Sequence, residues 1–224
     1  MEKEGMEYSL PRLFVIMLLF LLAYGASLLP PVLFTYYLSP PIYLLPFVLV
    51  LDFYLFVFSA VFLTGGIVRL LRIKYKEGEY RLTLKNPQVF KWVLFQTLYF
   101  PIAMLLYLLH AYALKEIHIK LCGAKVGKGV TIGGLITDPC LFEVGDYTII
   151  GGLCTILSHS GEKGKVIFKK VEIGKRCLVG ENATILCGAK MEDGSILGAS
   201  SLLPKNKVLK AGKVYGGVPA RRIK

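Results

Sequence analysis

The chain has 224 residues, of which 54% are hydrophobic and 19% charged, with a formal net charge of +12. An apolar excess of this size in a chain of this length excludes an ordinary soluble domain and predicts membrane segments, and the positive charge points to anionic partners such as a bilayer face or a phosphorylated ligand. The five cysteines (Cys122, Cys140, Cys154, Cys177 and Cys187) are odd in number and form no CxxC pair, which argues against a disulfide framework and a zinc site and for a reducing compartment.

Residues 1–114 hold nearly all the long apolar runs and read as a membrane domain, whereas residues 115–224 carry 18 of the 27 Lys and Arg and read as a basic soluble domain. The first run, Leu13 to Leu29, has no small-x-small cleavage site and is followed by a second, Ile42 to Val68. Each is long enough to cross a hydrocarbon core of ~30 Å at ~1.5 Å per residue, and together they predict a helical hairpin. The connector PPVLFTYYLSPP is uncharged, while Arg69, Arg72, Lys74, Lys76, Arg81 and Lys85 follow the second run. That asymmetry predicts a cytoplasmic side after the second run.

The third run, Trp92 to Leu114, is flanked by lysines on both sides and interrupted by Pro101. It predicts a bent, re-entrant or interfacial helix pair that starts and ends at the cytoplasmic face, with Trp92 as an interface anchor. The basic soluble half that follows is then cytoplasmic too. Asp52 is the single acid inside a predicted span; it either contacts a polar headgroup or makes a packing hydrogen bond between helices.

From Val126 onward the chain falls into units of six: VGKGVT, IGGLIT, DPCLFE, VGDYTI, IGGLCT, ILSHSG, then, after five residues outside the frame (162–166), IFKKVE through YGGVPA. Thirteen of the fifteen units begin with an aliphatic residue or methionine, with Asp138 and Tyr215 the departures, and a period of six fits neither an amphipathic helix nor a hairpin series. It predicts a solenoid: one unit cannot bury its own apolar side chain, but stacked turns bury a continuous column, with glycines at the corners.

This pattern, over roughly residues 120–224, resembles the hexapeptide-repeat acyltransferases, and the closing stretch from Val179 is similar to sugar and xenobiotic O-acetyltransferases of that family. The α-helical membrane domain read from the apolar runs is then followed, as the resemblance implies, by an all-β left-handed parallel β-helix, an exception to the usual right-handed crossover, assembled as a homotrimer. The resemblance also implies an acyltransferase that uses acetyl-CoA or another acyl-CoA as donor and no metal. NPQVFKWVLF and LCGAKVGKGVTIGG together are similar to the membrane C-terminal regions of polylysine-synthetase-like enzymes, which implies a condensation or scaffolding role as the alternative.

His159, fourth in its unit, lies outside the inward positions and directly before the out-of-frame loop. The resemblance places the catalytic histidine at such a position, in a groove between trimer subunits. An imidazole there can take the proton of a hydroxyl or amine as it attacks a thioester. Glu143 or Asp146, about one turn earlier, is expected to orient the ring, although both can equally be corner residues. Following the family pattern, Gly180, Ala199 and Ser200 would line the pantetheine groove, and Lys205, Arg221 and Arg222 would meet the donor's phosphates; the two arginines can instead hold anionic lipid.

The competing reading is a non-catalytic trimeric scaffold at the membrane. A zinc enzyme on this fold needs three convergent histidines, and the three present lie at 110, 118 and 159. Nucleic acid is excluded as a partner because the aromatic residues concentrate in the membrane half, away from the basic residues.

Overall fold

The computed structural model describes residues 9–223. Five helices precede the coil: α1 (Leu10–Ser27), α2 (Leu29–Leu38), α3 (Leu45–Leu70), α4 (Pro87–Leu108) and α5 (Tyr112–Leu121). Three segments are long and apolar enough to cross a membrane, Leu10–Leu38, Ile42–Leu70 and Pro87–Leu108, and the first two present apolar side chains such as Leu21, Leu22, Phe47 and Tyr54 outward. Pro30 and Pro31 fall in the first turn of α2, where a missing N–H costs no helical hydrogen bond. The first apolar segment therefore continues past them to Leu38, and the chain reverses at Ser39, whose φ is 42°.

The third run forms a helix pair, α4 and α5, but Pro101 does not interrupt it. Helix α4 passes that residue unbroken, and the break comes later, at His110, whose φ of 52° turns the chain into α5. The partly buried Trp92 ring lies against His159 and Phe168, with centroids 5.1 and 5.7 Å away.

The hexapeptide half is a parallel β-helix with three faces. One face stacks Val126, Val144, Ile173, Met191 and Leu209. The second stacks Ile132, Ile150, Val179, Leu197 and Tyr215. The third stacks Ile136, Ile156, Ile185 and Leu203. These side chains form the aliphatic column that the repeat predicts, nearly all of them buried.

Two departures from the six-residue frame shape the site. In the first coil Ile136, not Asp138, enters the third face opposite Ile156, so the frame slips by two and Asp138 drops into the corner beyond. In the second coil the out-of-frame residues form an antiparallel hairpin of His159–Glu162 and Lys165–Phe168 rather than a polar loop. Ile167 belongs to that hairpin, and the parallel ladder resumes at Val171. The hairpin gains a third strand, Gly78–Arg81, from the segment between α3 and α4, paired with Gly78 opposite Phe168 and Arg81 opposite Lys165. Helices and coil share one apolar core, which runs from Ile16, Val68 and Phe95 through Phe168 to the column. Helix α4 is pinned to the first coil by Tyr99, whose hydroxyl donates to the Ile136 carbonyl at 2.7 Å.

Candidate active site

The frame slip and the hairpin place two side chains in neighbouring corners. Asp138 follows Ile136 on the third face, and His159 follows Ile156 one coil later, so stacking of the coils brings them together. His159 Nδ1 lies 2.7 Å from Asp138 Oδ2. The aspartate is fully buried and the imidazole remains partly exposed.

Every other hydrogen bond to this carboxylate comes from a donor. Tyr75 donates its hydroxyl (2.6 Å) and Gln96 its amide (3.1 Å) to Oδ1. Thr137 donates its hydroxyl (2.6 Å) and Ser158 its backbone N–H (3.1 Å) to Oδ2. Burial pushes the Asp138 carboxyl up, but the bond and charge of His159, with the bonds from Thr137 and Tyr75, outweigh it and hold the acid below its ordinary value. Burial and the Asp138 charge push the Tyr75 phenol well above its ordinary range, so it stays a donor.

An ionised carboxylate only accepts hydrogen bonds, so the proton between the two groups sits on His159 Nδ1. In the neutral ring Nε2 then carries the lone pair and is the atom able to take a proton. The ring lines a cleft of about 520 Å³ between α4 and the coil.

Glu143 and Asp146 do not orient the histidine. Glu143 pairs with Lys170 and Lys125 on the first face. Asp146 accepts the Lys128 backbone N–H at 2.9 Å and lies 3.7 Å from the Lys175 ammonium. Both precede His159 by roughly one coil, but on the wrong faces, and the partner is the acid that broke the repeat. Its presence where an aliphatic residue was due is the signal in the sequence. Tyr75, Gln96 and Trp92 left no comparable signal, because they arrive from the helical half by tertiary packing.

The remaining residues divide between two edges of the prism. Lys205 follows Leu203 on the same edge as His159, and its ammonium pairs with Glu162 and Ser160 of the hairpin. Gly180, Ala199 and Ser200 lie on the preceding edge, between the second and third faces. A Cβ on Gly180 would come within 2.3 Å of the Ala199 backbone nitrogen, so glycine there is a demand of the coil. Arg221 and Arg222 form an exposed strand paired antiparallel with Gly216 and Tyr215 at the C-terminal end. Among the described residues no three His, Cys, Asp or Glu side chains converge as a metal site, and His118 is buried with Nε2 3.1 Å from the Thr64 hydroxyl.

The architecture is thus a three-sided coil of six-residue units with a histidine and an aspartate paired at one corner. No protein-family model matches the chain. The chain is similar to "Putative acetyltransferase YvoF" of Bacillus subtilis, 36% identical over 103 residues that cover 44% of this chain and 59% of YvoF. The chain is also similar to the delta-poly-L-ornithine synthetase of Acinetobacter baumannii, 26% identical over 118 residues, 52% of this chain and 9% of that protein. The chain thus spans about three-fifths of the first relative and under a tenth of the second. A maltose O-acetyltransferase from Clostridium difficile superposes over 72% of this chain and 96% of its own with a TM-score of 0.49 and 16% identity. The β-helix half resembles the hexapeptide-repeat acetyltransferases.

Proposed function

We propose that the protein is a membrane-anchored acyltransferase that moves an acetyl group from acetyl-CoA to a hydroxyl or amine on a lipid-linked, glycan or other membrane-proximal acceptor. The pairing of His159 with buried Asp138 carries this reading. His159 Nε2 takes the acceptor's proton as its oxygen or nitrogen bonds to the thioester carbonyl carbon. The carbon–sulfur bond then breaks, and the imidazolium returns that proton to the departing CoA sulfur. A backbone amide stabilises the oxyanion between these steps, and no covalent acyl-enzyme is required.

The two-edge arrangement supports a homotrimer. His159 and Lys205 on one edge complete a donor groove with Gly180, Ala199 and Ser200 when one copy's edge meets the other edge of its neighbour, a head-to-tail contact that closes into a ring. Arg221 and Arg222 supply further cations for the donor's phosphates. The basic run after α3 includes the strand Gly78–Arg81, which pairs with the coil's hairpin, and this supports a β-helix on the same side as that run, the cytoplasmic one, where acetyl-CoA is available.

Calorimetric titration of acetyl-CoA into the detergent-purified protein, with free CoA alongside, tests the reading. Saturable binding by both, with turnover lost in His159→Ala while binding persists, is expected. Absence of binding at millimolar ligand would overturn it in favour of the scaffold.

A further inference from the structure

The cleft beside His159 is one that the hexapeptide coil does not build alone. One wall is the outward side of the coil at Leu157, and the other is α4, which contributes Trp92, Thr97, Phe100 and Pro101. The spacing 92, 96–97, 100–101 is one face of a helix, so the wall runs for about 13 Å along α4, at ~1.5 Å per residue, away from the imidazole. Its volume of about 520 Å³ falls in the range of roughly 300–1,000 Å³ typical of small-ligand sites.

Two observations identify the occupant. Apart from His159, no titratable side chain lines the cleft, and its polar ones are engaged elsewhere, Gln96 and Thr137 donating to Asp138 and Thr97 to the Val93 carbonyl, so it offers no cation to the phosphates of a nucleotide donor and suits an uncharged hydrocarbon segment. The wall also belongs to an apolar helix long enough to cross a membrane, so the cleft is continuous with that helix's surface while its other end is the proposed general base.

We propose that this cleft is the acceptor subsite, and that it holds the hydrocarbon part of a long-chain, alcohol- or amine-headed amphiphile with the nucleophile at His159. The proposal rests on the acyltransferase reading and narrows its acceptor to a molecule drawn from the bilayer. The helical half is then part of the active site and not only an anchor.

The test uses the full chain in phosphatidylcholine nanodiscs, photolabelled with hexadecanol carrying a mid-chain diazirine, with labelled peptides mapped by mass spectrometry. Label is expected on α4 between Trp92 and Pro101 and on the strand end at Leu157, competed by unlabelled hexadecanol and not by acetyl-CoA. Filling the cleft by Thr97→Trp, or from the coil side by Leu157→Trp, should cut labelling there about tenfold while the acetyl-CoA Kd, which also reports folding, changes less than about twofold. Label confined to the outward faces of α1 to α3 would overturn the proposal and leave an acyltransferase with a water-soluble acceptor. Competition by acetyl-CoA would overturn it by giving the cleft to the donor's acyl group. Cleft labelling without any acetyl-CoA binding would remove the acyltransferase reading, and the acceptor role with it.

Discussion

Asp138 and His159, 21 residues apart in sequence, meet at 2.7 Å because two successive coils turn the same corner. The carboxylate is saturated with donors and shut off from solvent, so it holds the Nδ1 proton in place and leaves Nε2 to the substrate.

Replacing Asp138 by Asn removes the charge that fixes the tautomer while keeping most of the shape. We expect kcat to fall by about 10²–10⁴ with acetyl-CoA affinity within about twofold of wild type. Steady-state kinetics with acetyl-CoA as the varied substrate separate the two effects; an unchanged kcat would remove Asp138 from the mechanism.

The same carboxyl links stability to pH. Its folded value is depressed below the ordinary 3.8, so its contribution is fully present above that pH and is lost as pH falls through the lower, folded value. Thermal melts of the wild type should therefore lose stability below about pH 4 more steeply than Asp138→Asn, which has no carboxyl to protonate at this site. Parallel slopes for the two proteins would contradict the coupling.

Glu143→Gln and Asp146→Asn should behave as surface changes. Their partners are lysines on partly exposed faces, where solvent screens the attraction and such pairs add little to stability. Turnover within about twofold of wild type is the expected result. A hundredfold loss in either variant would return that residue to the site.

Lys205 is already occupied by Glu162 and Ser160. If its ammonium meets a donor phosphate, it must exchange those partners, and the two substitutions then act in opposite directions. Lys205→Ala should weaken acetyl-CoA binding about tenfold and Glu162→Gln should tighten it by a few-fold, since a competing carboxylate is gone. Calorimetry on both variants decides, and equal affinities would remove Lys205 from the donor site.

Gly180→Ala should cost about 3 kcal/mol, because its Cβ would collide with backbone of the next coil, which cannot yield without breaking the ladder. Gly161→Ala, where a Cβ meets nothing within 4 Å, is the control and should lie within about 0.5 kcal/mol of wild type. Denaturation of the two variants side by side measures the difference.

The sequence by itself determined the coil. The aliphatic residue every sixth position, from Ile132 to Leu209, is a local rule with one solution, because each unit can bury that side chain only by stacking on the next. The same regularity singled out His159 beside the interruption and marked Asp138 as an intruder in the column. Apolar length likewise announced the helices, though Pro30, Pro31 and Pro101 misled about where they end: a proline in a first turn costs nothing, and the one at 101 lies within an unbroken helix.

Only the tertiary structure decided which acid serves the histidine. A two-residue slip in the first coil moves Asp138 into the corner, while Glu143 and Asp146, nearer in the repeat frame, face lysines on other sides. The site's remaining parts, Tyr75, Gln96 and the α4 wall from Trp92 to Pro101, come from segments 37–84 residues away from Asp138 or His159. No periodicity encodes those meetings. They follow from the burial of α4 and of the strand Gly78–Arg81 against the coil, where apolar surface from distant parts of the chain is removed from water in one shared core.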